Sequence, residues 1–313
     1  MVELFSLATG VTVAGVMPNS LLLVDAYSQI YRAFFAIRSL TGPNDEPVNA
    51  LYGFTKMQRK MLANYHPSHC AVVFDLGAPR ARLSILPSYK EQRPPTPPDL
   101  DAQLPAIREV ITAMRLPIVE IDGEEADDLI ATLALSAAHN DWDVLIASND
   151  KDFTQIVGPR IRLIRPNGNE ATVWEATDVE TRYGVQPEQM VDFLSLTGDA
   201  VDNIQGVTGV GEKTAAELLR KFGSVDKLLA GIDEISKPKL REAIRAAADR
   251  LSTNRQLVSL HKDLKVGVTL ENLKLQTPDY AKLAAICKRF GFKSLLAEVE
   301  KESQRSADLF ANL

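Results

Sequence analysis

Nine carboxylates stand in this chain where a buried strand or a helix start should deliver them to one place. Asp25 ends the apolar run at 21–24, Asp75 ends the run at 70–74, and Asp150 follows the run at 144–147, with Asp152 two residues on. Glu125, Asp127 and Asp128 open the helix-like stretch "DGEEADDLIATLALSAAH", where Glu125 and Asp128 share a face. Asp199 and Asp202 lie in "LTGDAVDNIQGVTGVGEKTAAELL". A single aspartate beside Asn149 reads as turn or cap chemistry, and one or two acids at a helix start complement its dipole. Three strand-end aspartates, with four acids (Glu124 included) crowded at one helix start, go beyond that. Like charges so close repel unless something positive neutralises them. No matching set of His or Cys accompanies them. Oxygen-only clusters suit Mg²⁺ or Mn²⁺ rather than zinc. Two such ions about 3.5–4 Å apart are the usual engine of phosphodiester hydrolysis.

The elements that must position these acids follow from the pattern. Three short apolar runs read as strands buried on both faces, and the stretches 49–65 and 99–114 between them read as helices. Strand–helix alternation at this spacing predicts an α/β fold with a doubly wound, mostly parallel sheet. In such sheets ligands bind at the carboxyl ends of the strands, where Asp25, Asp75 and Asp150 would emerge.

Composition permits this reading. The chain has 313 residues, enough for one large or two ordinary domains, with the 45% hydrophobic and 24% charged content of a soluble globular protein. Cys70 and Cys287 stand far apart without a CxxC, which fits a reducing cytoplasm rather than a disulfide framework. No apolar run reaches the ~20 residues of a membrane span, and the mildly apolar N-terminus lacks the basic region of a signal peptide. Net charge is −6, but setting the nine site acids aside leaves +3, so the remainder can face phosphate.

Two further segments bear on a polyanionic substrate. "GVTGVGEKTAAELLRKFG" fails as a Walker A loop, because Glu212 occupies the place of the glycine before lysine. It reads instead as a glycine-rich hairpin, with Gly206, Gly209 and Gly211, feeding a helix from about Glu212. Backbone N–H groups at such a turn, with Lys213 and Lys221 on the helix, would grip phosphate without reading bases. The segment "LPSYKEQRPPTPPDLDAQLP" holds six prolines. It reads either as a stiff connector or as a rigid hinge presenting Tyr89, Lys90 and Arg93, with Arg80 and Arg82 upstream, over the carboxylates. In the second case its cations would stabilise charge developing at the scissile phosphate.

Together "LLVDAYSQIYRAF", "AVVFD", "YKEQRP", "GEEADDLIATLA", "ASNDKD" and "GDAVDNIQGVTGVGEKTA" resemble, in order and spacing over roughly 21–292, the bacterial 5′-nuclease family. That family spans the N-terminal domain of DNA polymerase I, freestanding bacterial 5′ exonucleases, phage 5′ nucleases and flap endonucleases. The resemblance implies metal-dependent cleavage of branched or nicked duplex DNA at 5′ flaps, nicks and 5′ ends, serving replication and repair. It assigns Asp25, Asp75, Glu125, Asp127, Asp128, Asp150 and Asp152 mainly to a tighter metal cluster, and Asp199 and Asp202 to a second. It implies that Arg32, Lys90 and Arg93 hold the scissile phosphate, and that the region around 76–105, with Tyr89, forms an arch for a 5′ single strand. The glycine hairpin matches a helix-hairpin-helix. Gly206, Gly209, Gly211, Lys213 and Thr214 would then meet DNA, and the carbonyls of Val207 and Val210 would bind K⁺. The sequence departs from the family at Ala26 and Tyr27, at Asn149, and at Gln205 and Thr208, so altered geometry is expected with the carboxylates retained.

The expected organisation is an N-terminal arm (1–19), an α/β nuclease core (20–185) with the arch, a helical DNA-binding region (186–295) with the hairpin at about 190–222, and a C-terminal tail (296–313). The chain ends without polymerase sequence, so a freestanding enzyme is expected; a monomer is expected as well, and nothing in the sequence names a protein partner. Two other readings fit the sequence less well. A haloacid-dehalogenase-type phosphatase needs a second aspartate where Tyr27 stands, and a non-catalytic branched-DNA module would have lost site carboxylates.

Overall fold

The computed structural model describes residues 17–167 and 170–311. Six strands form the main sheet: β1 (Met17–Asp25), β2 (Pro67–Val73), β3 (Ile118–Val119), β4 (Asp143–Ala147), β5 (Ile161–Asn167) and β6 (Glu170–Trp174). Their order is β3-β2-β1-β4-β5-β6, parallel throughout except for β6, which runs antiparallel to β5. β1 lies at the centre and its successors add first on one side and then on the other, so the winding reverses between β1 and β4. Such a reversal opens a crevice at the carboxyl edge. Register pairs Asp25 with Val73 and Val24 with Ala147, so the residues after all three strands emerge together.

Alternation along β1 divides the interior. Leu21 and Leu23 join a core containing the helix Ala126–His139. Leu22 and Val24 join the opposite one, with the helices Ala26–Ala36, Asn49–Tyr65 and Leu104–Ala113. The first core continues without a break into the C-terminal helices: Met190, Phe193, Leu196, Ala215 and Leu219 share it with Ile130 and Phe153. The strand-edge acids and the glycine hairpin are thereby mounted on one continuous core.

The structure corrects several expected boundaries. β1 begins at Met17, inside the stretch read as an arm; the rest of that stretch lies outside the described residues. The helix expected over 99–114 is broken into Pro98–Asp101 and Leu104–Ala113, because Pro105 has no N–H to continue the ladder from one to the other. The acidic helix starts only at Ala126, so Glu124 and Glu125 precede it. Residues 296–311 do not stand apart as a separate C-terminal tail. They belong to the helix Lys293–Ala311, whose Leu295 and Val299, four apart, are buried in the second core, while Arg59 pairs with Glu302.

Candidate active site and nucleic-acid interface

The strand ends show that turn chemistry and site chemistry coexist. Asp25 caps the helix that follows it, its Oδ1 accepting from Ser28 N at 3.1 Å, while Oδ2 accepts from Ser148 Oγ at 2.6 Å. The Ser148 hydroxyl also accepts from Asp150 N (3.0 Å), and Asp150 Oδ1 accepts from Asp152 N (2.8 Å). Asp75 Oδ1 accepts from Ala126 N at 3.0 Å and so anchors the acidic helix. These bonds fix where the carboxylates point, because each spends one oxygen on the backbone and aims the group at the edge.

Asp25, Asp75, Asp127 and Asp150 form one group that no lysine or arginine ion-pairs among the described residues. Burial, and secondarily the charges of Asp75 and Asp150, raise the Asp25 carboxyl from 3.8 to about 7. Burial and then Asp150, Asp25 and Asp75 push Asp127 well above the ordinary range. Asp152 is raised likewise, by burial and then by Asp150, and its Oδ1 is buried without a hydrogen-bond partner. Carboxylates that repel one another, Asp25 buried and the others half-buried, with an orphaned oxygen among them, call for a cation. The all-oxygen donor set fits Mg²⁺ or Mn²⁺.

The other acids carry cations of the chain's own. Glu125 is gripped by both Lys90 and Arg82 and lies 3.3 Å from Tyr89 Oη. Asp202 accepts from Arg93 Nη2 (2.6 Å) and Tyr89 Oη (3.0 Å), and its carbonyl accepts from Lys90 N (3.2 Å). Asp199 pairs with Lys151 at 3.0 Å and caps its own turn through Val201 N (2.8 Å). The proline-rich segment therefore does present Tyr89, Lys90 and Arg93 to the carboxylates. Lys90 takes the left-handed conformation (φ 59°) in doing so.

Arg82 also reaches the carboxylates, but from a buried position rather than over the edge. It is 4% exposed and bonded to Glu125, Asp128 (2.9 Å), Leu257 O (2.9 Å) and Ser259 O (3.1 Å). Asp128, 1% exposed, is spent on Arg82 and on His261 N (2.8 Å) rather than joining the unpaired group. Arg80 pairs with Asp122 at the surface. Arg32 lines a groove of about 300 Å³ with Gln29, Lys60 and Asn64, and ion-pairs with none of the nine acids. Sequence reasoning missed Ser148, Lys151 as a partner of Asp199, and the trio Glu124–Asp128–His261, whose ligand atoms lie within 4.8 Å of one another. A serine directly after a buried strand was a signal for the first; nothing in the sequence signalled His261.

The hairpin is built by close backbone approach. The helix Met190–Thr197 leads through Gly198 and the turn to the helix Glu212–Phe222. A Cβ on Gly206 would sit 2.3 Å from the Thr197 carbonyl, and Asn254 Nδ2 ties Ser195 O (3.0 Å) to Gln205 O (2.9 Å). Val207 and Val210 bury their side chains, and Val207 O accepts from Val210 N at 3.0 Å. Gly209, at φ 78°, faces open space, and Gly211 and Lys213 are exposed beside it, with Thr214 half-buried.

A sheet edge lined with carboxylates, beside a glycine hairpin between two helices, defines a nuclease architecture. The description "5′-3′ exonuclease, N-terminal resolvase-like domain" matches residues 20–184, and "5′-3′ exonuclease, C-terminal SAM fold" matches residues 185–281. The chain belongs to the 5′-3′ exonuclease family. It is 38% identical over 292 residues to a 5′-3′ exonuclease of Aquifex aeolicus, covering 92% of this chain and 99% of that one. It is 39% identical over 299 residues to DNA polymerase I of Bacillus caldotenax, covering 95% of this chain. The chain spans about a third (34%) of that polymerase's length. Its fold is similar to a T5 5′-exonuclease mutant (TM-score 0.62, 22% identity, 90% of this chain and 99% of that one). The catalytic core of Rad2 in complex with DNA substrate is similar too (TM-score 0.59, 17% identity, 89% and 92%).

Proposed function

We propose that this chain hydrolyses phosphodiesters of branched or nicked duplex DNA at 5′ flaps, nicks and 5′ ends, as a structure-specific 5′ nuclease of replication and repair. The observation that carries the reading is the unpaired group Asp25–Asp75–Asp127–Asp150, with the orphaned Asp152 Oδ1 beside it. These residues, with Asp199 and Asp202, would hold two or more Mg²⁺ or Mn²⁺ ions. Bound there, such ions would supply Lewis acidity, lowering the pKa of a water and offsetting negative charge on the phosphate oxygens. Ser148 orients Asp25, Asp75 anchors the acidic helix, and Lys90 and Arg93, paired with Glu125 and Asp202, would meet the scissile phosphate. Exposed Gly209, Gly211 and Lys213 would take the duplex backbone, and the Val207 and Val210 carbonyls would take K⁺. Nine intact carboxylates favour catalysis over a binding-only module. Cys70 and Cys287, both free and buried, suit a reducing cytoplasm. No helix among the described residues is long and apolar enough to cross a membrane.

The test is cleavage of a 5′-labelled flap and of a nicked duplex, with Mg²⁺ or Mn²⁺ and with chelator. Flap-length fragments report endonuclease action and mononucleotides report exonuclease action. Undiminished cutting in chelator would refute the metal reading.

A further inference from the structure

The two sides of the site differ in how their charge is met. Asp25, Asp75, Asp127 and Asp150 have no ion-pair partner among the described residues, whereas Asp199 and Asp202 are each paired. Asp202 takes its partner, Arg93, from the proline-rich segment. Asp199 takes its partner from within the metal-ligand motif itself. Lys151 lies between Asp150 and Asp152 in sequence, yet its Nζ reaches across to Asp199 Oδ2 at 3.0 Å. The Lys151 side chain is about a third exposed, so it can leave without disturbing the core.

A divalent ion that takes Asp199 as a ligand must compete with that ammonium. We propose that Lys151 is the resident counter-cation of the Asp199 side of the site, displaced when a divalent ion binds there. Resting on the metal reading above, this makes the two sides unequal. The unpaired aspartates bind first and tightly, and Lys151 sets how readily the Asp199 side fills before DNA arrives. Lys151 is in this sense a positioning residue acting through Asp199.

The test uses the full chain without DNA. Mn²⁺ is titrated at fixed pH and salt and free ion is read by electron paramagnetic resonance, for wild type, Lys151→Met and Lys151→Arg. Removing a neighbouring cation should tighten the weaker class of Mn²⁺ sites by about ten-fold or more in Lys151→Met, with Lys151→Arg resembling wild type. An unchanged or weaker isotherm for Lys151→Met would overturn the proposal. Thermal melting supplies a second readout. In chelator Lys151→Met should melt below wild type, and Mn²⁺ should raise its midpoint by more. Should that variant fold only when Mn²⁺ is present, the proposal stands; failure to recover with Mn²⁺ overturns it. A wild-type protein that binds no Mn²⁺ removes the metal reading and this inference together, whereas equal binding by wild type and Lys151→Met removes this inference alone.

Discussion

Asp150 shows how one residue serves two purposes. Its Oδ1 shapes the turn that carries Asp152, and its charge contributes to the raised pKa values of Asp25, Asp127 and Asp152. Replacing it with Asn preserves an acceptor for the turn while removing a charge owed to metal. Asp150→Asn should therefore reduce cleavage to near background while DNA binding persists or tightens slightly, as repulsion toward phosphate falls. Single-turnover cleavage beside a binding titration on one flap decides it, and a near-wild-type rate in Mg²⁺ would remove Asp150 from the metal set. The same group gives a pH dependence. Asp25, raised to about 7 when folded, stabilises the metal-free protein fully below about pH 4, and that contribution is lost as pH rises through about 7. Asp127 and Asp152, raised in the same direction, add to it. In chelator the melting temperature should fall between pH 5 and 8, and Mg²⁺ should reverse the fall; a midpoint that climbs over that range would contradict the repulsion.

At the scale of elements, the proline-rich segment and the hairpin each make a claim that mutation separates from simple scaffolding. Lys90 and Arg93 hold Glu125 and Asp202 in the free protein. Facing the scissile phosphate, they would interact most strongly as its oxygens gain charge. Such contacts are worth ~2.7–4 kcal/mol, roughly a hundred- to a thousand-fold in rate. Lys90→Ala or Arg93→Ala should then slow single-turnover flap cleavage far more than it weakens binding. Equal, modest losses in both would reduce the pair to general electrostatics, and no loss would leave the segment a connector. In the hairpin two glycines fail differently. A methyl on Gly206 meets the Thr197 backbone at 2.3 Å, so Gly206→Ala should cost about 3 kcal/mol, at the upper end for overpacking. Gly209 has open space but φ 78°, so Gly209→Val acts through backbone strain at the exposed tip. Combined with Lys213→Ala it should weaken binding alike on unrelated sequences and lower the salt slope by about 1. Losses confined to certain base sequences would speak against a phosphate grip.

Across the whole molecule, Arg82 is the tie. From the foot of the proline-rich segment it reaches the acidic helix through Glu125 and Asp128, and the C-terminal half through the carbonyls of Leu257 and Ser259. Removing it leaves buried Asp128 without a cation and Glu125 with Lys90 alone, which costs on the order of 3–5 kcal/mol. Arg82→Ala should lower the melting temperature by roughly 5–8 °C at this chain size. A drop of only a degree or two would show that solvent or Lys90 replaces it.

Three adjacent strands of the sheet (β2, β1 and β4), the aspartates at their ends and the family were legible in the sequence alone, whereas β3, β5 and β6 were not. A strand buried on both faces must be apolar throughout, so the polar residue ending it marks the carboxyl edge, and that rule needs no coordinates. The helix at 49–65 was legible for the same local reason, its apolar positions repeating at helical spacing. Which carboxylates remain unpaired was decided only by the tertiary structure. Arg80, Arg82, Lys90 and Arg93 look alike along the chain, yet one is buried against Asp128, one is spent on surface Asp122, and two face the site. Lys151 is local to Asp150 and Asp152 in sequence but belongs to Asp199 in space. Charge pairing depends on distances of a few ångströms between residues far apart in sequence, and only the packing of the acidic helix, the proline-rich segment and the hairpin region onto one sheet edge sets those distances.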